Sequence, residues 1–86
     1  MGYSEMIYDP RLRRMTPAQR WAWFGLLALA NEGRERGVLE LAPGVAYELD
    51  DLESLLDVDA ETIEGCLGIA QQLHMIEMDG TRMIIL

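Results

Sequence analysis

The sequence predicts an α+β domain that is mainly helical and ends in a small antiparallel β-sheet. Three segments place apolar residues at helical spacing, and the last twelve residues place two strand-like runs on either side of an Asp-Gly pair that favours a hairpin. The chain has 86 residues, half of them hydrophobic, which is enough for one domain with a core and too little for two. We therefore expect residues 1–86 to form a single domain.

The first helix is predicted over residues 17–33. Thr16 is a favourable N-cap residue, and Pro17 suits the first helical position because its missing N–H would lack a partner there anyway. Gly33 or Gly37 suits the end of the helix, since glycine readily adopts the left-handed conformation that closes many helices.

The apolar surface of this helix is wider than one amphipathic stripe. Trp21, Phe24 and Ala28 lie along one face. The residues that widen this face are Trp23, Leu26, Leu27 and Ala30. A helix of this kind has to be covered on more than one side. Two interpretations stay open: a partner chain covers part of it, or the rest of the domain wraps around it.

Two more helices follow in quick succession. After a short β-prone run at 38–41, leucines at helical spacing predict a helix over 48–57. Asp59 is a favourable N-cap for another helix over 60–73. About three residues join the two helices, and this spacing matches a helix-turn-helix.

The end of the chain is predicted to be a β-hairpin. Residues 75–78 alternate between apolar and polar, Asp79-Gly80 is a favoured pair for a type I′ turn, and residues 82–86 return as an apolar strand. Residues 1–8 are predicted to be an edge strand or an N-terminal arm. With three or four helices and a hairpin wing, this order of elements is that of a winged helix-turn-helix.

The charge is distributed unevenly along the chain. Residues 1–37 hold six arginines and four acids, whereas residues 38–86 hold one arginine and eleven acids, and the chain has no lysine. The net charge of −8 therefore resides in the second half, which should repel a phosphate backbone. This acidic surface either keeps the domain solvated or forms a face for a basic protein partner.

Composition also disfavours several classes of function. One cysteine and one histidine cannot build a structural zinc site, and no apolar run is long enough to span a bilayer. Cys66 is expected to be a small core residue, and His74 has no nucleophile or orienting acid at a recognisable spacing. We expect a cytoplasmic, non-enzymatic protein with no catalytic residues, no metal ion, no cofactor and no small-molecule ligand.

These residues resemble a known family. The aromatic-rich first helix, with Trp21, Trp23 and Phe24, leads into Gly-Val-Leu at 37–39 and then into the tail AYELDDLESLLDVDAETIEGCLGIAQQLHMIEMDGTRMIIL. This pattern resembles the winged-helix N-terminal domain of phage replisome organisers and of DnaD-like primosomal proteins. The resemblance covers nearly the whole chain, although the Leu-Leu-x-Val-Asp turn is shared with winged-helix transcription regulators.

The resemblance implies a role in replication initiation or primosome assembly. It implies self-association through this domain, replication proteins as partners, and often a separate C-terminal domain that touches DNA and the helicase machinery. The chain stops within a predicted strand, so we expect it to be the N-terminal domain of a longer protein. His74 departs from the family pattern, because a glycine in left-handed conformation usually ends the third helix, and we expect His74 to adopt that conformation.

Self-association is expected to use the N-terminal arm and the first helix. Both segments carry aromatic or large apolar residues that a small domain has little material to cover. The expected product is a homodimer or a higher oligomer. The residues expected at this interface are Tyr3, Met6, Ile7, Tyr8, Trp21, Trp23 and Phe24.

DNA binding through this domain is expected to be weak. The second helix of a helix-turn-helix normally enters the major groove, yet the predicted helix 60–73 has no lysine or arginine. Its residues expected to face solvent are Glu61, Glu64, Gly65, Gly68, Gln71 and Gln72. The alternative function is a DNA-binding winged-helix transcription regulator, which would use a basic patch. The candidate nucleic-acid contacts are Arg11, Arg13, Arg14, Arg20 and Arg82.

Overall fold

A computed structural model of the chain describes residues 9–32 and 35–86. The predicted arm at 1–8, with Tyr3, Met6, Ile7 and Tyr8, and the predicted helix end at Gly33 lie outside these residues. The described residues form an α+β structure, mainly helical, which confirms the predicted class. Its elements are a short 3-10 helix (Leu12–Arg14), α1 (Pro17–Glu32), β1 (Val38–Leu39), α2 (Leu49–Leu56), α3 (Ala60–Gln72), β2 (Ile76–Asp79) and β3 (Arg82–Ile85).

Side-chain caps fix where the helices begin. At the start of α1, the Thr16 hydroxyl accepts a hydrogen bond from the Gln19 N–H at 3.1 Å, and the Gln19 side-chain oxygen accepts one from the Thr16 N–H at 2.9 Å. This reciprocal arrangement is a capping box. At the start of α3, the Asp59 carboxylate accepts from the Thr62 N–H at 2.8 Å. Both predicted N-caps are therefore confirmed.

The end of α3 confirms the expectation for His74, whose φ of 57° lies in the left-handed region. The His74 N–H donates to the Gln71 carbonyl at 3.2 Å, and the Met75 N–H donates to the Ala70 carbonyl at 2.8 Å. These two bonds form a Schellman motif, which satisfies carbonyls that the helix leaves without partners. The motif turns the chain directly into β2.

The three strands form an antiparallel sheet in the order β1-β3-β2. Asp79 pairs with Arg82, so the turn consists of Gly80 and Thr81, one position later than predicted. Gly80 has a φ of 62° whereas Thr81 has a negative φ, which is the pattern of a type II′ turn rather than the predicted type I′. The predicted strand at 38–41 ends at Leu39.

The core lies between one face of α1 and the elements that pack on it. We call Ala22, Trp23, Leu26 and Ala30 the inner face of α1; each of them is buried. The other buried residues of the core are Leu12, Met15, Leu39, Leu52, Leu56, Ile63, Cys66, Ala70, Met75 and Ile76. Burying several large apolar side chains, each worth about 1.5–3 kcal/mol, is the main stabilising contribution in a domain of this size.

The helices approach each other closely at one glycine. A Cβ atom built on Gly25 of α1 would lie 2.5 Å from the Cδ2 atom of Leu56, at the end of α2. The absence of a side chain at Gly25 therefore lets α2 pack directly against α1. This contact also places the Leu56 carbonyl beside Trp21, one turn earlier on α1.

Candidate functional site

The outer face of α3 is acidic and polar. Glu61, Glu64, Gly68, Gln71 and Gln72 are exposed, as predicted. Gly65 is only half-exposed, because the side chain of Gln19 from α1 lies over it. The helix itself has no lysine or arginine to place beside a phosphate.

The turn between α2 and α3 adds further negative charge next to this face. Asp50, Glu53, Asp57 and Asp59 line a shallow depression there. Hydrogen bonds from Thr62 lower the pKa of Asp59, so its carboxylate keeps its negative charge to lower pH than an ordinary aspartate. Within residues 9–32 and 35–86, no three acidic, histidine or cysteine side chains converge as metal ligands.

The five arginines predicted as nucleic-acid contacts do not form one patch. Arg11 lies in the turn that precedes the 3-10 helix, and Arg13 and Arg14 lie within it. Arg20 lies on the first turns of α1, whereas Arg82 lies in the hairpin and pairs with Glu35, beyond the other end of that helix. A helix of 16 residues is about 24 Å long. Arg20 and Arg82 therefore lie towards opposite ends of α1.

Two of these arginines are already neutralised by neighbouring acids. Arg11 donates to the Asp9 carboxylate through its backbone N–H at 2.9 Å, Nε at 3.1 Å and Nη2 at 2.8 Å, and these bonds lower the pKa of Asp9. Arg82 donates a single hydrogen bond, from Nη2, to the Glu35 carboxylate. Arg13 and Arg14 are exposed and Arg20 is half-buried, and these three make no ion pair with the acids of the described ranges.

The two tryptophans of α1 have opposite environments. Trp23 is 5% exposed and belongs to the inner face, so the structure removes it from the predicted interface. Trp21 is 62% exposed, and its indole N–H donates to the Leu56 carbonyl at 3.2 Å. That carbonyl lies in the last turn of α2, where backbone acceptors lack helical partners. The hydrogen bond therefore holds the ring of Trp21 in place while most of it remains exposed to solvent.

Trp21 lies within an apolar stripe on the solvent side of α1. Pro17, Trp21, Phe24 and Ala28 follow one another at intervals of four, three and four residues, and we call them the outer stripe. Pro17 and Ala28 are exposed, and Phe24 is half-buried. The sequence grouped this stripe with the inner face as one wide apolar surface. The structure separates the two: the inner face lies in the core, whereas the outer stripe is only partly covered, by the packing of Phe24 against the core and by the contact of Trp21 with the Leu56 carbonyl.

A cleft of about 840 Å³ lies between the end of α1, the 41–47 loop and the hairpin. The Glu40 carboxylate crosses it, accepting from the Gly44 N–H at 3.3 Å and from the Thr81 hydroxyl at 2.6 Å. Arg82 and Glu35 pair at its edge. These charged groups tie the loop and the hairpin to the rest of the fold.

Cys66 lies in the core and His74 lies at the end of α3, as predicted. Cys66 is fully buried in the core, and burial raises the pKa of its thiol to about 12. A thiol with so high a pKa is almost entirely protonated at neutral pH and is a poor nucleophile. The backbone of His74 closes α3, and its side chain is exposed.

No described helix combines the length and the apolar character that a membrane crossing requires. Comparison of the chain with protein-family models, with curated proteins and with solved structures finds no match. The function is therefore argued from the surfaces described above and from the resemblance in sequence.

Proposed function

We propose that this chain is a winged helix-turn-helix domain of the type found in phage replisome organisers and DnaD-like primosomal proteins. We propose that it acts in replication initiation through protein contacts and self-association, in the cytoplasm. The order of elements supports the fold, because a helical pair, α2 and α3, is followed by a hairpin whose second strand pairs with β1. In this assignment α3 is the helix that would face a DNA groove, and the hairpin is the wing.

The acidic outer face of α3 is the observation that favours protein contacts over DNA reading. A helix in the major groove lies between two rows of phosphates, and binding is driven largely by lysine and arginine. Here Glu61 and Glu64 would face those phosphates, with Asp59 at the helix start. Gln71 and Gln72 can donate to base edges, but nothing on α3 would offset the repulsion.

The outer stripe of α1 is apolar, in contrast to the acidic outer face of α3, and it is the surface proposed for protein contacts. Trp21 is the largest exposed apolar side chain of α1, and tryptophan is enriched among the residues that dominate protein interfaces. The predicted arm residues Tyr3, Met6, Ile7 and Tyr8 precede α1 in sequence and remain part of the proposal. The expected partners are a second copy of the chain and proteins of the replication machinery.

The proposal is tested by duplex DNA binding, measured as fluorescence anisotropy at low salt. The wild-type chain should show no saturable binding, whereas the variant with both Glu61→Lys and Glu64→Lys should gain at least about tenfold in affinity, because it reverses two charges on α3. The matched control reverses two exposed acids at the far end of α1, Glu32→Lys with Glu35→Lys, and should gain less.

Saturable wild-type binding that persists after both Arg13 and Arg14 are changed to Ala would contradict the proposal, because it would point to α3.

A transcription regulator that binds DNA is the second candidate function. It is favoured by Arg13 and Arg14, which are adjacent, exposed and unpaired with the described acids. It predicts wild-type binding with a steep salt dependence that is lost when Arg11, Arg13 and Arg14 become Ala. The absence of binding at low salt would remove this candidate for the domain.

A further inference from the structure

We infer that an apolar groove between α2, α3 and the hairpin binds a basic segment of a different protein, which inserts one large apolar side chain into it. This inference rests on the proposed function, since it gives the chemistry of a protein partner, and it assigns that partner a surface separate from the outer stripe of α1. We call this surface the methionine groove. Its volume is about 170 Å³, and its main lining residues are Leu39, Leu49, Leu52, Leu67, Met78 and Met83.

The sheet forms one wall of the methionine groove with a row of apolar side chains that is covered at one end only. Leu39 pairs with Met83, and Met83 pairs with Met78, so the three side chains lie side by side across the sheet. Leu39 is 3% exposed, Met83 is half-buried and Met78 is 47% exposed. The row therefore runs out of the core to the edge strand β2, where a methionine side chain stays accessible.

The helices form the opposite wall, and their side chains are also only partly covered. Leu52 of α2 is buried, whereas Leu49, one turn earlier, and Leu67 of α3 are half-buried. The groove is thus an extension of the core that opens between the two helices and the hairpin. Among the described residues, none that lines it carries a charge. Filling the groove would remove more apolar surface from water, which favours an apolar side chain as its occupant.

The size of the groove limits what it accepts. An apolar protein cavity of about 150 Å³ holds one benzene molecule. A groove of about 170 Å³ therefore has room for one aromatic or branched aliphatic side chain, and not for the row of side chains on a whole helix face. Met78 and Met83 are unbranched and flexible, so the wall that they form can adjust to the shape of the inserted side chain.

The acids around the groove indicate the charge of the partner. Three of them stand next to lining residues: Glu64, one turn before the groove leucine of α3; Asp51, beside the buried leucine of α2; and Asp79, beside the exposed methionine of β2. The second half of the chain has no lysine and only Arg82 as a base, which is already paired with an acid. A segment with lysine or arginine on both sides of its apolar anchor would meet opposite charge around the groove.

The segments of this chain do not have the same chemistry. Residues 1–8 contain Glu5 and neither lysine nor arginine, so they would bring an acid to an acidic rim. The basic stretch 11–14 of a second copy has its leucine, Leu12, buried in the core of its own domain, where it is not available as an anchor. The occupant is therefore assigned to a different protein.

Selection of binders from a library of random peptides, with the wild-type chain as the target, tests this inference. The enriched peptides should share one aromatic or leucine residue flanked by lysine or arginine. For the most enriched peptide, made synthetically, Met78→Lys should weaken binding at least about tenfold, because it replaces an apolar wall by a positive charge. Leu55→Lys is the matched control and should leave the affinity nearly unchanged, since it makes the same change at an exposed leucine that does not line the groove.

Two further measurements locate the peptide and separate its charge from its anchor. The methyl signals of Met78 and Met83 in the NMR spectrum should shift when the peptide is added. Glu64→Lys should weaken binding more than Glu61→Lys does, because Glu61 lies nearly two turns from the groove leucine of α3. Replacing the anchor of the peptide by alanine should remove most of the affinity, and urea unfolding of each variant verifies that the domain stays folded.

Several results would overturn the inference. They are the absence of enriched peptides, enriched peptides without basic residues, and binding that Met78→Lys leaves unchanged. Binding that appears only when Tyr3 and Ile7 are changed to Ser would make the N-terminal segment the occupant instead. Each of these results leaves the proposed function to be judged by the DNA experiment on α3, whereas saturable DNA binding through α3 would overturn the proposed function without affecting the peptide measurements.

Discussion

The inner face and the outer stripe of α1 have similar apolar character but different surroundings. Trp23 and Trp21 are two residues apart and point about 200° from each other on the helix. The first is 5% exposed and lies in the core, and the second is 62% exposed and is fixed by one hydrogen bond. Both surfaces are hydrophobic, and the packing of the other elements on α1 determines which of them stabilises the monomer.

The largest expected effect is a difference in the free energy of unfolding between variants of the two tryptophans. Trp23→Ala should lower the free energy of unfolding by about 3–5 kcal/mol, because it removes a large buried side chain and leaves a cavity in the core. Trp21→Ala should lower it by less than about 1 kcal/mol, since most of that ring is exposed. Urea unfolding followed by circular dichroism measures both changes.

If Trp23→Ala does not fold, the milder Trp23→Phe keeps the comparison measurable. It should still destabilise the chain more than Trp21→Phe does. Equal losses at the two positions would contradict the assignment of an inner and an outer side to α1.

A loss of stability of intermediate size is expected when the N-cap of α1 is removed. This cap stabilises the whole helix, which carries both the inner face and the outer stripe. Thr16→Ala removes the hydroxyl that accepts the Gln19 N–H and should cost about 1 kcal/mol of stability. Thr16→Ser keeps an acceptor and is the control. Thermal unfolding detects the difference, and identical midpoints for the two variants would mean that this cap does not stabilise α1.

The smallest effect is expected when Trp21 is replaced by Phe, which keeps a smaller aromatic ring and lacks the indole N–H. Trp21→Phe should cost about 0.5 kcal/mol, at the low end for a hydrogen bond, because water can hydrate the Leu56 carbonyl instead. It should also weaken the dimer less than Trp21→Ala does. A Phe variant that dissociates as completely as the Ala variant would show that the fixed orientation of the ring, rather than its apolar area, holds the dimer.

Much of the fold could be predicted because local signals agree with the final packing. The caps at Thr16 and Asp59 have specific hydrogen-bonding chemistry, and they place the starts of α1 and α3 correctly. The left-handed His74 was likewise predicted, from its position in the resemblance and from the tolerance of histidine for that conformation. The end of a helix can be predicted from the sequence when it depends on one side chain and the backbone groups nearest to it.

The errors occur where two local solutions have similar energies. Both Asp79-Gly80 and Gly80-Thr81 can form two-residue turns, and the pairing of Asp79 with Arg82 selects the second. The predicted β1 was too long because Leu41 turns away, its N–H donating to the Val45 carbonyl at 2.9 Å. In each case the outcome depends on a backbone pairing that the alternation of apolar and polar residues does not specify.

The candidate site was less predictable than the fold. Trp21, Trp23 and Phe24 were assigned to one interface because the apolar surface of the helix is wide, but residues two apart on a helix cannot share a face. The intervals of four, three and four from Pro17 to Ala28 were the signal that could have isolated the outer stripe. The contact of Gly25 with Leu56 locates α2 on α1, and no periodicity encodes that contact.

The strand order has a consequence for how large an assembly can become. The two outermost strands are β1, with two residues, and β2, where Glu77 and Asp79 are exposed. Short or charged borders discourage the addition of strands from neighbouring molecules. Growth by continuous hydrogen-bonded ribbons through these two borders is thereby disfavoured.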